Sequence, residues 1–187
     1  MNRASAAKAT TLAAIVLAAS LSLTACSEPN NAGPLSTPSA TASTPSPQSA
    51  LAADLQYLIE EEKLAHDVYS ALYEIWGSNV FANILKSETS HQDQVLAIMN
   101  TYDVADPRLT AEGLFVDKEL QEVYDQLLAK GSKSLTDAFE VGVAIEELDI
   151  KDLTEMVKGV SQSDVVDMMQ RLISASENHL AAFQRQL

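Results

Sequence analysis

The chain has a single cysteine and little positive charge, and each shortage argues against a class of function. Cys26 is the only cysteine among 187 residues, so the sequence after it can form neither an internal disulfide nor a Cys-ligated metal site. Twelve basic residues stand against 26 acidic ones, a formal charge of −14. Such a chain is repelled by nucleic acid and favours cations as guests, although surplus acid also simply keeps an exported helical protein soluble.

The first 26 residues predict an export signal. Arg3 and Lys8 precede an apolar run from about Thr11 to Leu23, which is too short to span a membrane. The run ends in Leu-Thr-Ala-Cys, which resembles the lipobox of bacterial lipoproteins and implies acylation of Cys26. The alternative is an ordinary secretory signal with an incidental cysteine. Lipidation would anchor the domain to a membrane of the cell envelope and leave 10 basic against 26 acidic residues, a charge of −16.

The rest of the chain divides into a tether and one helical domain. Residues 27–49 are rich in proline, serine and threonine, hold five of the six prolines and predict a disordered tether. Residues 50–187 show helical periodicity and no strand pattern, and are enough for one domain with a core. The expected helices, four long and one short, cover about residues 50–76, 80–101, 117–130 and 134–159, and from about 161 almost to 187.

The connections between these helices indicate a particular bundle. Short links join the first long helix to the second and the third to the fourth, whereas about 30 residues, which include the short helix, separate the second from the third. We therefore predict an all-α, ferritin-like four-helix bundle with a long crossover that carries a short extra helix. A plain helical bundle without a cofactor is the alternative.

Histidine is scarce, and two of the three histidines fall on apolar helical stripes. His91 closes a Glu88-x-x-His91 step within such a stripe, and His179 lies on the stripe of the last helix. Residues three apart on a helix share a face, so Glu88 and His91 would point together into a core. Buried charges are costly unless they are paired or bind a metal. The pattern therefore predicts partners from the other helices.

Acids on the remaining stripes provide these partners. A lone histidine on an apolar face is more often a satisfied core residue, but six inward polar groups from four helices favour a metal centre. A rotation of the third long helix would exchange Glu146 for Glu147. We expect His66 and Glu61 at the surface, with His66 as an alternative outer partner of the site. The candidate ligands are Glu62, Glu88, His91, Glu146, Asp149 and His179.

Four carboxylates and two imidazoles form a hard, mainly oxygen-donating ligand set. Such a set suits iron or manganese, accepts zinc and disfavours copper(I). Six ligands are too many for one tetrahedral zinc and suit two metals about 3.5–4 Å apart. We therefore expect a dinuclear centre, with a mononuclear one as the alternative. Tyr69, two turns after Glu62, is either a hydrogen-bonding or redox partner of this centre or a core tyrosine.

Four motifs of the domain carry a resemblance to a known family. They are EEEKLAHDVY (60–69), SETSH (87–91), IEELDIKDL (145–153) and SENHLAAF (176–183). With them the domain resembles the ferritin-like di-iron carboxylate superfamily, which includes bacterioferritins and rubrerythrins, and more closely an uncharacterised ferritin-like family of exported bacterial and archaeal proteins. The resemblance implies that Glu62, Glu88, His91, Glu146 and His179 are ligands. The superfamily has a second Glu-x-x-His in its last helix, where this chain has Ser176, and Asp149 is our candidate replacement.

Three functions follow as hypotheses. The first is a redox-active di-metal centre with ferroxidase or peroxide-scavenging chemistry at the envelope, in which Glu88 bridges the metals and His91 and His179 each bind one. The second is a lipoprotein that binds or delivers metal without turnover. The third is a surface interaction module whose inward polar groups form a metal-free hydrogen-bonded network. The sequence identifies no protein partner.

Overall fold

The computed structural model describes residues 46–187, and all regular structure in this part of the chain is helical. This confirms the predicted all-α bundle. The predicted signal, Cys26 and the tether up to residue 45 lie outside the described residues. Among residues 46–187, no helix is both long enough and apolar enough to cross a membrane. The helices are α1 (Pro47–Trp76), α2 (Asn79–Thr101), α3 (Lys118–Gly131), α4 (Leu135–Gly159) and α5 (Ser163–Gln184).

Two helical hairpins form the bundle. α1 packs mainly against α2 and α4 mainly against α5, while α2 also contacts α5 and α1 contacts α4. The short helix α3 packs on α1 and α4 from the outside of this arrangement. Each hairpin follows from a short connection, and the long segment between α2 and α3 allows the second hairpin to lie beside the first.

Local capping chemistry sets most helix ends. Gly77 ends α1 in the left-handed conformation (φ 64°), and its N–H donates to the Tyr73 carbonyl oxygen at 2.7 Å. The Ser134 hydroxyl accepts from the Asp137 N–H at 3.0 Å and starts α4. α1 begins at Pro47 rather than at the expected Ala50, because a proline suits the first turn of a helix and Ser46 caps it. The last three residues of the predicted tether are therefore helical.

Buried charges on α1 hold the crossover segment. Lys63 is paired with Asp67 and also donates to the Ala111 carbonyl oxygen at 3.1 Å, while the Asp67 carboxylate accepts from the Gly113 N–H at 2.9 Å. Glu60, one turn earlier, accepts from the backbone N–H groups of residues 116 and 117 at 2.6 and 2.8 Å. These charges are buried because they replace the missing backbone partners of an irregular segment.

The core consists of two apolar clusters with a polar layer between them. One cluster includes Tyr69, Phe81 and Phe183, and the other includes Leu58 and Met168. On each long helix the residues of one cluster precede the polar residues of the layer, and residues of the other cluster follow them. The fold therefore sets the buried polar residues that lie between the two clusters at one level of the bundle. The layer residues are Glu62, Glu88, His91, Glu146, Asp149, Ser176 and His179.

Replacement of Gly142 by alanine tests how closely α4 and α5 approach. A Cβ at Gly142 would lie 2.6 Å from the ring of Phe183, which is itself fully buried against Tyr69 and Phe81. We expect Gly142→Ala to lower the free energy of unfolding by about 1–3 kcal/mol in urea denaturation, because the ring cannot move aside. Gly159→Ala is the control, since a Cβ there meets nothing within 4 Å. Equal stability of the two variants would contradict this close packing.

Candidate metal centre

The polar layer brings together five of the six predicted ligands in two groups. Ligand atoms of Glu62, Glu88 and His91 lie within 4.8 Å of one another, and so do those of Glu88, Glu146 and His179. We call Glu62, Glu88 and His91 the first triad, and Glu88, Glu146 and His179 the second triad. Glu88 belongs to both. A carboxylate with one oxygen toward each group has the arrangement expected of a bridging ligand.

In the first triad, one ring nitrogen of His91 faces two carboxylates. Its Nδ1 lies 3.1 Å from Glu62 Oε2 and 3.0 Å from Glu88 Oε2. Its Nε2 lies 3.2 Å from the Ser87 hydroxyl oxygen. A proton on Nε2 that is donated to Ser87 leaves the Nδ1 lone pair free for a cation, which is how a metal-binding histidine is normally oriented.

The second triad repeats this geometry, with Glu146 and His179 supplied by the other hairpin, α4 and α5. His179 Nδ1 lies 3.0 Å from Glu88 Oε1 and 3.5 Å from Glu146 Oε2. The Tyr69 hydroxyl donates to Glu146 Oε1 at 2.6 Å, which orients that carboxylate. The rings of His91 and His179 are stacked with centroids 5.4 Å apart. The two halves of the layer are thus similar, with Glu62 and Glu146 as equivalents.

Asp149 lies in the layer but outside both triads. It is 6% exposed, its Oδ2 is hydrogen-bonded to the Ser176 hydroxyl, and its Oδ1 has no hydrogen-bond partner. Ser176 is short and fully inward, so it leaves room for a carboxylate from α4. Asp149 therefore remains a candidate ligand, with one oxygen anchored and one free.

Several buried atoms of the layer have no hydrogen-bond partner within the described residues. His179 Nδ1 and Glu88 Oε1 are among them, because their 3.0 Å separation lacks the alignment of a hydrogen bond. Each such atom carries a desolvation cost of about 1–3 kcal/mol, more when the group is charged. Carboxylate oxygens and an imidazole nitrogen that converge without aligned hydrogen bonds fit a divalent cation. The remaining unpartnered atoms of the layer are Glu62 Oε1 and Asp149 Oδ1.

The electrostatics of the layer show how little positive charge it contains. Burial raises the pKa of Glu62 well above its usual value and that of Glu146 to about 7, and it raises the pKa of Asp149 to about 6. Burial also opposes ionisation of Glu88, but the two histidines lower its pKa to about 2. Protons therefore neutralise part of the layer when no cation is bound.

The histidines respond in the opposite sense. Burial alone would lower the pKa of His91, yet Glu62 and Glu88 raise it to about 11. Burial likewise opposes the charge on His179, whose pKa Glu146 and Glu88 raise to about 9. A metal must displace these protons, so binding by both histidines releases protons.

The structure corrects one expectation and decides two alternatives. Glu61 was expected at the surface but is 4% exposed, because helix α4 covers a face of α1 that periodicity treats as outward. His66 is half-buried with its Nδ1 3.0 Å from Asp67 Oδ1, and it takes no part in the layer. Glu146 is buried and Glu147 is exposed, so the first of these faces the centre.

Two serines, Ser176 within the layer and Ser87 beside it, have contacts that the sequence pattern did not predict. Ser87 supports His91 from four residues earlier on the same helix, and Ser176 holds Asp149. The i, i+4 spacing from Ser87 to His91 was the signal that could have identified the first of them.

Fold and site together define an all-α bundle with a carboxylate and imidazole layer in its interior. The chain belongs to the family described as uncharacterized protein domain DUF2202, which matches residues 52–187. It is 40% identical over 129 residues to uncharacterized protein MJ0754 of Methanocaldococcus jannaschii, covering 68% of this chain and 70% of that protein. The fold is similar to a crystal structure of hypothetical protein MJ0754 from Methanococcus jannaschii, with a TM-score of 0.72 and 39% identity over 73% of this chain and 78% of that chain.

The pKa shifts predict how the stability of the metal-free protein depends on pH. Because the pKa of Glu146 and Asp149 rises from 4.5 and 3.8 to about 7 and 6, the folded state holds more protons between these values, and stability falls as pH rises. His91 and His179 act in the same direction, since their contribution is complete below pH 6.5 and is lost as pH rises through their pKa values of about 11 and about 9, respectively. We expect a lower melting temperature in chelator at pH 8 than at pH 5.

Glu146→Gln is the matched variant for this measurement. It keeps the size of the side chain and an acceptor for Tyr69 but removes the titration, so the fall between pH 5 and pH 8 should become shallower by about 1.4 kcal/mol per unit of lost pKa shift. A metal-free wild type that is more stable at pH 8 than at pH 5 would show that the layer is not proton-neutralised.

Proposed function

We propose that this protein is a ferritin-like, membrane-tethered metal protein that binds two iron or manganese ions in the polar layer and carries out oxygen- or peroxide-linked redox chemistry. The observation that carries the proposal is that Glu88 is shared between two carboxylate and histidine triads. A structural ion pair needs one partner for each charge, whereas this layer has a shared acid and unpartnered oxygens.

Each residue has a role in this proposal. Glu88, whose two oxygens face the two triads, would be shared by both cations, Glu62 and Glu146 would each serve one cation, and His91 and His179 would each supply Nδ1 to one. Asp149 adds its free Oδ1 where the last helix offers only Ser176. Zinc would fit the same donors but supplies no electrons.

The chemistry depends on what the bound metals supply and what the protein controls. Two ferrous ions would give up two electrons in all, which with two protons reduce dioxygen to hydrogen peroxide, or hydrogen peroxide to water. Tyr69 holds Glu146 in position by its 2.6 Å hydrogen bond, and Ser87 fixes the orientation of His91. The buried apolar clusters above and below the layer exclude water from it.

The cellular setting is part of the same proposal. Acylation of Cys26 would hold the bundle at a membrane surface of the envelope through the tether. The acidic surplus of the chain would then attract divalent cations and repel nucleic acid.

The second candidate is a protein that holds or delivers metal without turnover. The burial of the layer favours it, because Glu62, Glu88 and Glu146 are each 2% exposed and His91 is 3% exposed. Ligands so enclosed retain a cation well but offer a second reactant little access. The metal-free interaction module has one observation in its favour, the contact of His91 with both Glu62 and Glu88.

Metal content tests the proposed site directly. We expect wild type purified with iron or manganese to retain about two ions per chain, as a two-metal site requires. Glu88→Ala should lose both ions because it belongs to both triads, whereas His91→Ala should lose at least one. Glu147→Ala, which removes an exposed acid one residue after Glu146, is the control and should keep both. Full retention in Glu88→Ala would contradict the assignment.

Oxygen consumption separates turnover from holding. On addition of Fe(II) to metal-free wild type, we expect uptake of about one dioxygen for each two ferrous ions oxidised. Tyr69→Phe removes the hydrogen bond to Glu146. This variant should still bind both ions, but its affinity for the ion in the second triad should fall about 10-fold or more. If the protein binds two ferrous ions without air and then consumes no oxygen when air is admitted, the result would support a protein that holds metal without turnover. An unchanged melting temperature in chelator and no bound metal would support the metal-free module.

A further inference from the structure

The two triads differ in how far they are enclosed. In the first triad the side chains of Glu62 and His91 are 2% and 4% exposed. In the second triad Glu146 is 3% exposed, but the side chain of His179 is 11% exposed, the largest value among the five ligands. The Nδ1 atom of His179 is itself buried, so another part of the side chain reaches the surface. The second triad is therefore the one that borders solvent.

The two histidines also differ in how they are held. Ser87 lies four residues before His91 on α2, and its hydroxyl oxygen is 3.2 Å from His91 Nε2. The residue four before His179 is Ala175, whose side chain has no polar atom, and none of residues 46–187 hydrogen-bonds to His179 Nε2. A hydrogen bond to the second ring nitrogen orients a metal-binding histidine, and its loss lowers metal affinity about 10- to 100-fold. His91 is thus oriented before a metal arrives, whereas the metal itself must orient His179.

The acids of the two triads differ in the number of oxygens that they can offer. Glu146 Oε1 accepts from the Tyr69 hydroxyl at 2.6 Å, which leaves Oε2 for a cation. Glu62 Oε2 lies 3.1 Å from His91 Nδ1, and Glu62 Oε1 has no hydrogen-bond partner among the described residues. When His91 gives its Nδ1 lone pair to a metal, both oxygens of Glu62 are available to a cation. The first triad therefore has one more free carboxylate oxygen than the second.

We propose that the polar layer binds its two cations unequally: the first triad retains its ion, and the second triad holds an ion that exchanges with the surroundings beside His179. This inference rests on the proposed metal-binding function. Enclosure, the anchoring of the histidine and the free carboxylate oxygens all favour the first triad. When metal is limiting, the first triad fills first. A reactant that arrives from solvent meets the ion of the second triad.

The serine anchor is the difference that a single substitution can remove or add. Ser87→Ala leaves His91 without its partner and should release the first ion about tenfold faster. Ala175→Ser places a hydroxyl four residues before His179, which is the spacing from Ser87 to His91. Ala175 and Ser87 are both half-buried, so the two positions are comparable. Ala175→Ser should therefore slow release of the second ion about tenfold.

The test is the exchange of bound Co(II). Metal-free protein is loaded with Co(II) and mixed with excess Zn(II), whose filled d shell gives no visible absorption, while the absorption of bound Co(II) is followed. For wild type we expect two phases of similar size whose rates differ about tenfold or more. His179→Ala should show only the slow phase, and His91→Ala only the fast phase. Ser90→Ala, which removes an exposed serine of α2, is the control and should exchange like wild type.

The outcomes separate the unequal binding from the site itself. Wild type that binds no Co(II) overturns both the proposed function and this inference. Wild type that binds about two ions and releases them in a single phase overturns the inference alone, and so does loss of the slow phase in His179→Ala. The two serine variants keep every ligand, so they decide the question if a histidine variant fails to fold. An unchanged slow phase in Ser87→Ala, or an unchanged fast phase in Ala175→Ser, overturns the inference.

Discussion

Glu62, Glu88 and Glu146 are each only 2% exposed in the interior of a helical bundle. Only the imidazoles of two histidines lie close enough to offset the negative charge of their carboxylates. Such groups must be neutralised, because an ionised carboxylate in an apolar interior costs far more than a small domain has in net stability. Protons perform this task in part, as the raised pKa values of Glu62 and Glu146 show. A metal ion bound at the proposed centre would therefore compete with protons for the same oxygens.

The fold meets this requirement by confining the charges between the two apolar clusters to one level. The apolar clusters on either side supply the burial that stabilises the bundle, and each long helix contributes one or two polar residues to the level between them. Aromatic packing of Tyr69, Phe81 and Phe183 borders the second triad directly, and Tyr69 belongs to both the cluster and the layer through its bond to Glu146. Stability and site geometry are thus coupled, because movement of this cluster would move Glu146 through its hydrogen bond to Tyr69.

The sequence predicted the helices well where capping residues mark their ends, as at Gly77 and Ser134, and it predicted the layer because inward polar residues break an apolar period. It failed on α1. Residues 58–65 of this helix are all buried, because α2, α3, α4 and the crossover surround it, whereas periodicity assumes one inward face. Glu61 was therefore misplaced. The choice between Glu146 and Glu147 depended on helix rotation, which packing against α5 determines and the sequence pattern leaves open.

Charge balance favours two divalent cations over one. The layer holds four carboxylates, Glu62, Glu88, Glu146 and Asp149, and its histidines are neutral when they bind a metal through Nδ1. Two divalent cations neutralise four carboxylates, while a single one leaves two negative charges in the core that protons must still cover.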